Sequence, residues 1–135
     1  MDKRHKLVSM TPDQNLRFWD LFDPKPPTFT FNCRHPDDDH LTAIAFSQDN
    51  NILVTGDTSG QMKMWDITDV DLNDQKTEKM FLERYFIIAH RATINTVQIV
   101  EEKIPNNQKL IMSASNDNNI HLHMLSNGAY VGYFG

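Results

Sequence analysis

The sequence predicts an all-β chain built from repeated antiparallel sheets, and three observations carry that expectation. Three segments align without gaps: LVSMTPDQNLRFWD ending at Asp20, LVTGDTSGQMKMWD ending at Asp66, and IMSASNDNNIHLHM ending at Met124. Each reads as a short apolar strand, a turn of Asp, Asn, Ser or Gly, and a strand of alternating side chains, which is the hairpin signature. Two further segments, LTAIAFSQDNN from Leu41 and ATINTVQIV from Ala92, match each other and precede the second and third hairpins. Each of these follows a histidine, His40 or His90.

The strands follow in chain order. The first group comprises Leu7–Met10, the alternating Leu16-Arg17-Phe18-Trp19 within Asn15–Trp19, and Thr28–Asn32. The second comprises Leu41–Phe46, Ile52–Thr55, Gln61–Asp66 and Met80–Ile88, and the third comprises Thr93–Val100, Lys109–Ser113, Asn119–Met124 and Tyr130–Phe134. Between them lie Asn-rich pieces such as Asp49-Asn50-Asn51 and Asn116 to Asn119. Asn tolerates left-handed backbone angles, so these pieces are expected to turn.

Trp19 and Trp65 are 46 residues apart, and Trp65 and His123 are 58 apart. A histidine before an inner strand, then a hairpin ending in Trp-Asp, repeated at roughly 40–45 residues plus insertions, resembles the WD-repeat proteins. The resemblance covers nearly the whole chain. It implies a partial β-propeller of a little under three four-stranded antiparallel blades: a partial blade over 1–33 and full blades over 34–89 and 90–135. Propellers close with about 4–8 blades, so the remaining blades are expected from the same, longer chain.

In that family a His, a Ser or Thr, an Asp and a Trp hydrogen-bond within each blade. The resemblance assigns Ser9, Asp13 and Trp19 to the first blade. It gives His40, Thr55, Ser59 (at the Asp position) and Trp65 to the second. The third receives His90, Ser113 and Asp117, with His123 where Trp is expected. His90, Ser113 and Asp117 also have the residue types of a nucleophilic triad. A Ser carried by a repeat and tied to a structural His shows no sequence sign of an oxyanion hole, so no catalytic residue is assigned. The run His35-Pro36-Asp37-Asp38-Asp39-His40 gathers metal-ligand types. It reads instead as a solvated acidic loop between blades, and no metal or cofactor is assigned.

Composition narrows the partners. The net charge of −5 and the scattered Lys and Arg argue against binding a phosphate backbone. No stretch reaches the roughly 18–20 apolar residues that span a bilayer, and a single cysteine, Cys33, forms no internal disulfide. Neither nucleic acid nor membrane is therefore expected, and the cytoplasm is the expected compartment. In an antiparallel repeat, the tight turns Pro12–Gln14, Asp57–Gly60 and Ser115–Asn118 lie at one end. The longer connections 22–27, 68–79 and 101–108 project from the other. Elaborated loops on one face often form the binding face. The candidate partner-binding residues are accordingly Asp23, Lys25, Pro26, Asp71, Asp74, Lys76, Glu101, Lys103 and Asn106.

The closing SNGAYVGYFG resembles, at Gly128, Tyr130, Gly132, Phe134 and Gly135, the blade endings of large axonemal WD-repeat proteins of motile cilia. The implied role is a non-catalytic protein–protein interaction scaffold in the ciliary axoneme, docked on microtubule-associated complex subunits. The alternative is an adaptor propeller in a soluble complex, for example in signalling or ubiquitin ligation.

Overall fold

The computed structural model describes residues 6–22, 27–36, 38–101 and 108–134, Phe134 as backbone only. The first sheet holds β1 (Lys6–Met10), β2 (Asn15–Asp20) and β3 (Phe29–Asn32). A second holds β4 (Leu41–Phe46), β5 (Ile52–Asp57), β6 (Gln61–Asp66) and β7 (Leu82–Ile88), and a third β8 (Ile94–Val100), β9 (Leu110–Ser115), β10 (Ile120–Met124) and β11 (Tyr130–Phe134). Strand order within each sheet follows the chain, every pairing antiparallel, so each sheet is a meander. This is the expected all-β, partial-propeller architecture.

The repeat extends to irregularities that the alignment could not show. The inner strands bulge at matching places, between Leu41 and Ala43 and between Ile94 and Thr96. The outer pairs do the same, between Met64 and Trp65 and between Leu122 and His123. A bulge increases local twist and re-aims the side chains beyond it. The tight turns repeat too: Gln14, Gly60 and Asn118 occupy one alignment position, with φ of 72°, 85° and 69°. Only glycine enters that region without steric cost. At Gly60 an added Cβ would lie 2.2 Å from the His90 carbonyl oxygen.

Alternation turns one face of each sheet toward its neighbour, and two apolar seams result. Leu16, Phe18, Phe29 and Phe31 of the first sheet meet Leu53, Trp65, Ile67 and Phe81 of the second. Phe31 and Phe81 stack with centroids 3.8 Å apart, and Phe31 meets Trp65 edge-on at 5.1 Å. The other seam joins Val54, Met62 and Met64 to Ile94, Val97, Ile111 and Leu125. Aliphatic and thioether groups dominate it.

The connection between β6 and β7, expected over 68–79 as a long loop projecting from the rim, is partly folded into the molecule. Val70 and Leu72 are buried in the first seam, and residues Gln75–Met80 form a short 3-10 helix, η1. Met80 therefore ends η1 instead of starting β7.

Candidate functional site

Each blade end is organised by a hydroxyl on its second strand. In the first sheet the Trp19 indole donates to Ser9 Oγ at 3.0 Å. Asp13 stays in its own turn, accepting from the Thr11 hydroxyl, the Asn15 backbone and the Arg17 guanidinium. Those bonds, led by Thr11, hold its carboxyl well below the usual carboxylate range.

The second sheet corrects two assignments. The histidine bonded to Thr55 is His35, with Nε2 at 2.8 Å from Thr55 Oγ1, and its Nδ1 lies 2.7 Å from Asp57 Oδ2. The Trp65 indole donates to the same Thr55 oxygen at 3.2 Å. All four residues are buried. His40 is exposed and its Nδ1 donates to the Pro12 carbonyl at 2.9 Å, tying the second sheet to the first turn. Ser59 is exposed and donates to Asp39. The physical reason lies in loop length. His90 precedes the first residue of its inner strand by four positions, whereas His35 precedes Leu41 by six. The longer loop carries the ring back to the same place. Asp57 likewise stands two positions before the alignment expects, and its Oδ1 also accepts from the Ser59 and Gln61 amides at 2.9 Å. One carboxylate thus closes the turn and orients the histidine.

In the third sheet the expected residues meet. His90 Nδ1 lies 3.0 Å from Asp117 Oδ2, and Nε2 lies 2.8 Å from Ser113 Oγ. Burial pulls the His90 ring below its ordinary pKa, with Asp117 acting in the opposite sense. His123, in the tryptophan position, is buried and its Nδ1 has no hydrogen-bond partner among the described residues. Burial, with His121 and His90 nearby, pushes its pKa down to about 4. His121, two residues before His123 on the same strand, stacks on His90 at 4.2 Å and donates to the Ala89 carbonyl.

These clusters have triad-like geometry, yet Thr55 and Ser113 are wholly buried. Nothing beyond the blade can reach either oxygen, so the arrangement pairs buried polar groups. Within the acidic stretch His35 points inward, and Asp39 accepts from Thr58 and Ser59, while Asp37 lies outside the described residues. Among the described residues no three His, Cys, Asp or Glu side chains gather to hold a metal ion.

Four of the nine rim candidates can be placed. Asp71 Oδ1 accepts from the Asn73 amide and Asp74 caps η1 through the Lys76 amide. Glu101 accepts from the Gln48 amide at 2.7 Å and pairs with Lys109 at 3.2 Å. These three carboxylates build the rim, while Lys76 is exposed on it. Asp23, Lys25, Pro26, Lys103 and Asn106 lie outside the described residues. At the same end of the sheets the second and third blades part into clefts that share Ile52, Met64 and Ser126. Asp49, Asp66 and Arg84 border one, Lys109 and Leu125 the other. Hydrogen bonds led by the Ser47 and Thr68 hydroxyls lower the Asp49 and Asp66 carboxyls, which keeps both ionised. This groove was invisible in the sequence because turns of two blades compose it.

Residues 26–66 match the family model described as WD domain, G-beta repeat. The transcriptional modulator WTM2 of Saccharomyces cerevisiae is 36% identical over 69 residues, which is 50% of this chain and 14% of that protein. The target of rapamycin complex subunit LST8 of Saccharomyces cerevisiae is 32% identical over 63 residues, 46% of this chain and 20% of that protein. The crystal structure of the RRP9 WD40 repeats superposes with a TM-score of 0.68 at 18% identity, over 97% of this chain and 36% of that one. The chain thus spans well under two thirds of each, and at that identity the structural likeness is one of fold.

Proposed function

We infer that this chain, which carries WD40 repeats folded as part of a β-propeller, serves as a non-catalytic scaffold that docks other proteins through its loop-rich rim. One observation carries the reading: the β6–β7 connection and the groove between the second and third blades share that end, while at the opposite end the hairpin turns are tight and the β3–β4 connection is bonded back onto the Pro12–Gln14 turn. Exposed Ser126 and Asn127 border the groove. In the full-length polypeptide, Ser126→Arg is expected to weaken partner binding about tenfold, the loss of roughly 1.4 kcal/mol, without moving the melting point. Asn116→Lys, at the opposite end, is expected to leave binding unchanged. Equal effects of the two substitutions would overturn the choice of rim.

Within that role we propose a structural component of the ciliary axoneme, docked on microtubule-associated complex subunits. The support is the closing turn and strand, in which Gly128, Tyr130, Gly132, Phe134 and Gly135 stand as in axonemal WD-repeat proteins. The second reading, an adaptor in a soluble complex, draws on the likeness to LST8, named as a subunit of the target of rapamycin complex. Fractionation of ciliated cells separates them. Retention in detergent-extracted axonemes is expected of the first, and a soluble, exchanging pool would replace it with the second.

A further inference from the structure

The outer strand of the first sheet presents an unusual edge. In β3, Cys33 donates to the Gln14 carbonyl at 2.9 Å, so with Asn32 opposite Asn15 and Thr30 opposite Arg17 the odd-numbered residues bond toward β2. Thr30 then turns both its N–H and its C=O outward, away from the ladder. The segment around it, Thr28-Phe29-Thr30-Phe31-Asn32-Cys33, is uncharged, free of Pro and Gly, and rich in β-branched and aromatic residues. Six-residue segments of that kind pair readily with copies of themselves when an edge is open.

The edge is closed by a side chain. Gln75 Oε1 accepts from the Thr30 N–H at 2.9 Å, and Gln75 Nε2 donates to the Thr30 carbonyl at 2.8 Å. A carboxamide is chemically a peptide group, and here it bonds as one residue of a neighbouring strand would. Its placement is held locally: Asp74 caps η1, and Glu78 accepts from Gln75 Nε2 at 3.3 Å. Leu72 and Phe81, both buried, anchor the segment on either side, while η1 itself buries nothing.

We propose that Gln75 stands in for a neighbouring strand and thereby keeps the β3 edge from pairing with the same edge of a second copy of the chain. The surface is a latent self-association site whose occupant would be another Thr28–Cys33 segment, running antiparallel.

The test uses the full-length polypeptide. In Gln75→Ala, amide hydrogen exchange at Thr30 should quicken by roughly five- to tenfold, as the loss of one modest hydrogen bond implies. Sedimentation should show the mass rising with concentration. Adding Thr30→Pro removes the outward N–H and leaves the Thr28 and Cys33 N–H bonds to the Phe18 and Gln14 carbonyls, so the double variant should return to the wild-type mass. Gln75 is exposed and outside both apolar seams, so folding should survive. Should Gln75→Ala unfold, Gln75→Asn, one carbon too short to reach, reads the same contact. An unchanged mass at every concentration, unchanged exchange at Thr30, or association that persists in the double variant would each overturn the proposal.

Discussion

Two buried polar groups, the Thr55 hydroxyl and the Asp57 carboxylate, depend on one ring at His35. Replacing it by Ala leaves the Thr55 hydroxyl short of a partner and the Asp57 carboxylate buried beside a void, each worth a kilocalorie or more. His35→Ala should therefore lower unfolding free energy by roughly 3 kcal/mol, close to the cost of breaking a buried pair. His40→Ala, losing one exposed contact to Pro12, should cost no more than about 1 kcal/mol. Denaturant midpoints of the two variants check the ordering, and equal losses would refute the exchange of roles between these histidines. The sequence carried a signal for part of this. Asp57 is the one carboxylate in its turn, and a blade whose Asp position holds Ser59 needs an acid from nearby. Choosing His35 over His40 required knowing that the loop between the ring and β4 has two extra residues to fold back. Spacing alone favours the histidine adjacent to the strand.

At the scale of the element, the β6–β7 connection is the clearest departure from expectation. VDLNDQKTEK is polar on average, which conceals Val70 and Leu72 spaced two apart and both turned into the first seam. A loop merely tolerated on the surface would lose under about 0.5 kcal/mol on truncation. Leu72→Ala should instead cost roughly 2–4 kcal/mol, the range for a buried leucine, measured by chemical denaturation. The strands were legible because period-2 patterning and turn residues are local. The 3-10 helix and the bulges answer to packing across sheets, which periodicity does not register. The rim was legible as an end of the sheets, since antiparallel alternation fixes which connections share it. Its individual carboxylates were not, because Asp71, Asp74 and Glu101 spend themselves on neighbouring amides.

Across the whole molecule the two seams differ in chemistry. The first is aromatic, and the third blade turns His90, His121 and His123 toward the second. His123 has its folded pKa below the ordinary histidine value, so between about 6.5 and 4 the unfolded chain binds the extra proton. Stability is then complete above about pH 6.5, falls as pH drops toward 4, and levels off below that. His90 acts in the same direction. Between pH 7 and 5 the His123 contribution is about 2 kcal/mol. Urea midpoints at the two pH values should show that loss, and His123→Phe should flatten it. A slope unchanged in the variant would assign the acid sensitivity elsewhere. The position of the two tryptophans has a further consequence. Trp65 is wholly enclosed and Trp19 only half covered, and both belong to the first two blades. Intrinsic indole emission thus reports on the aromatic seam through the blue component of Trp65, the redder one of Trp19 coming from the other face of the first sheet, while loosening between the second and third blades passes without a flicker.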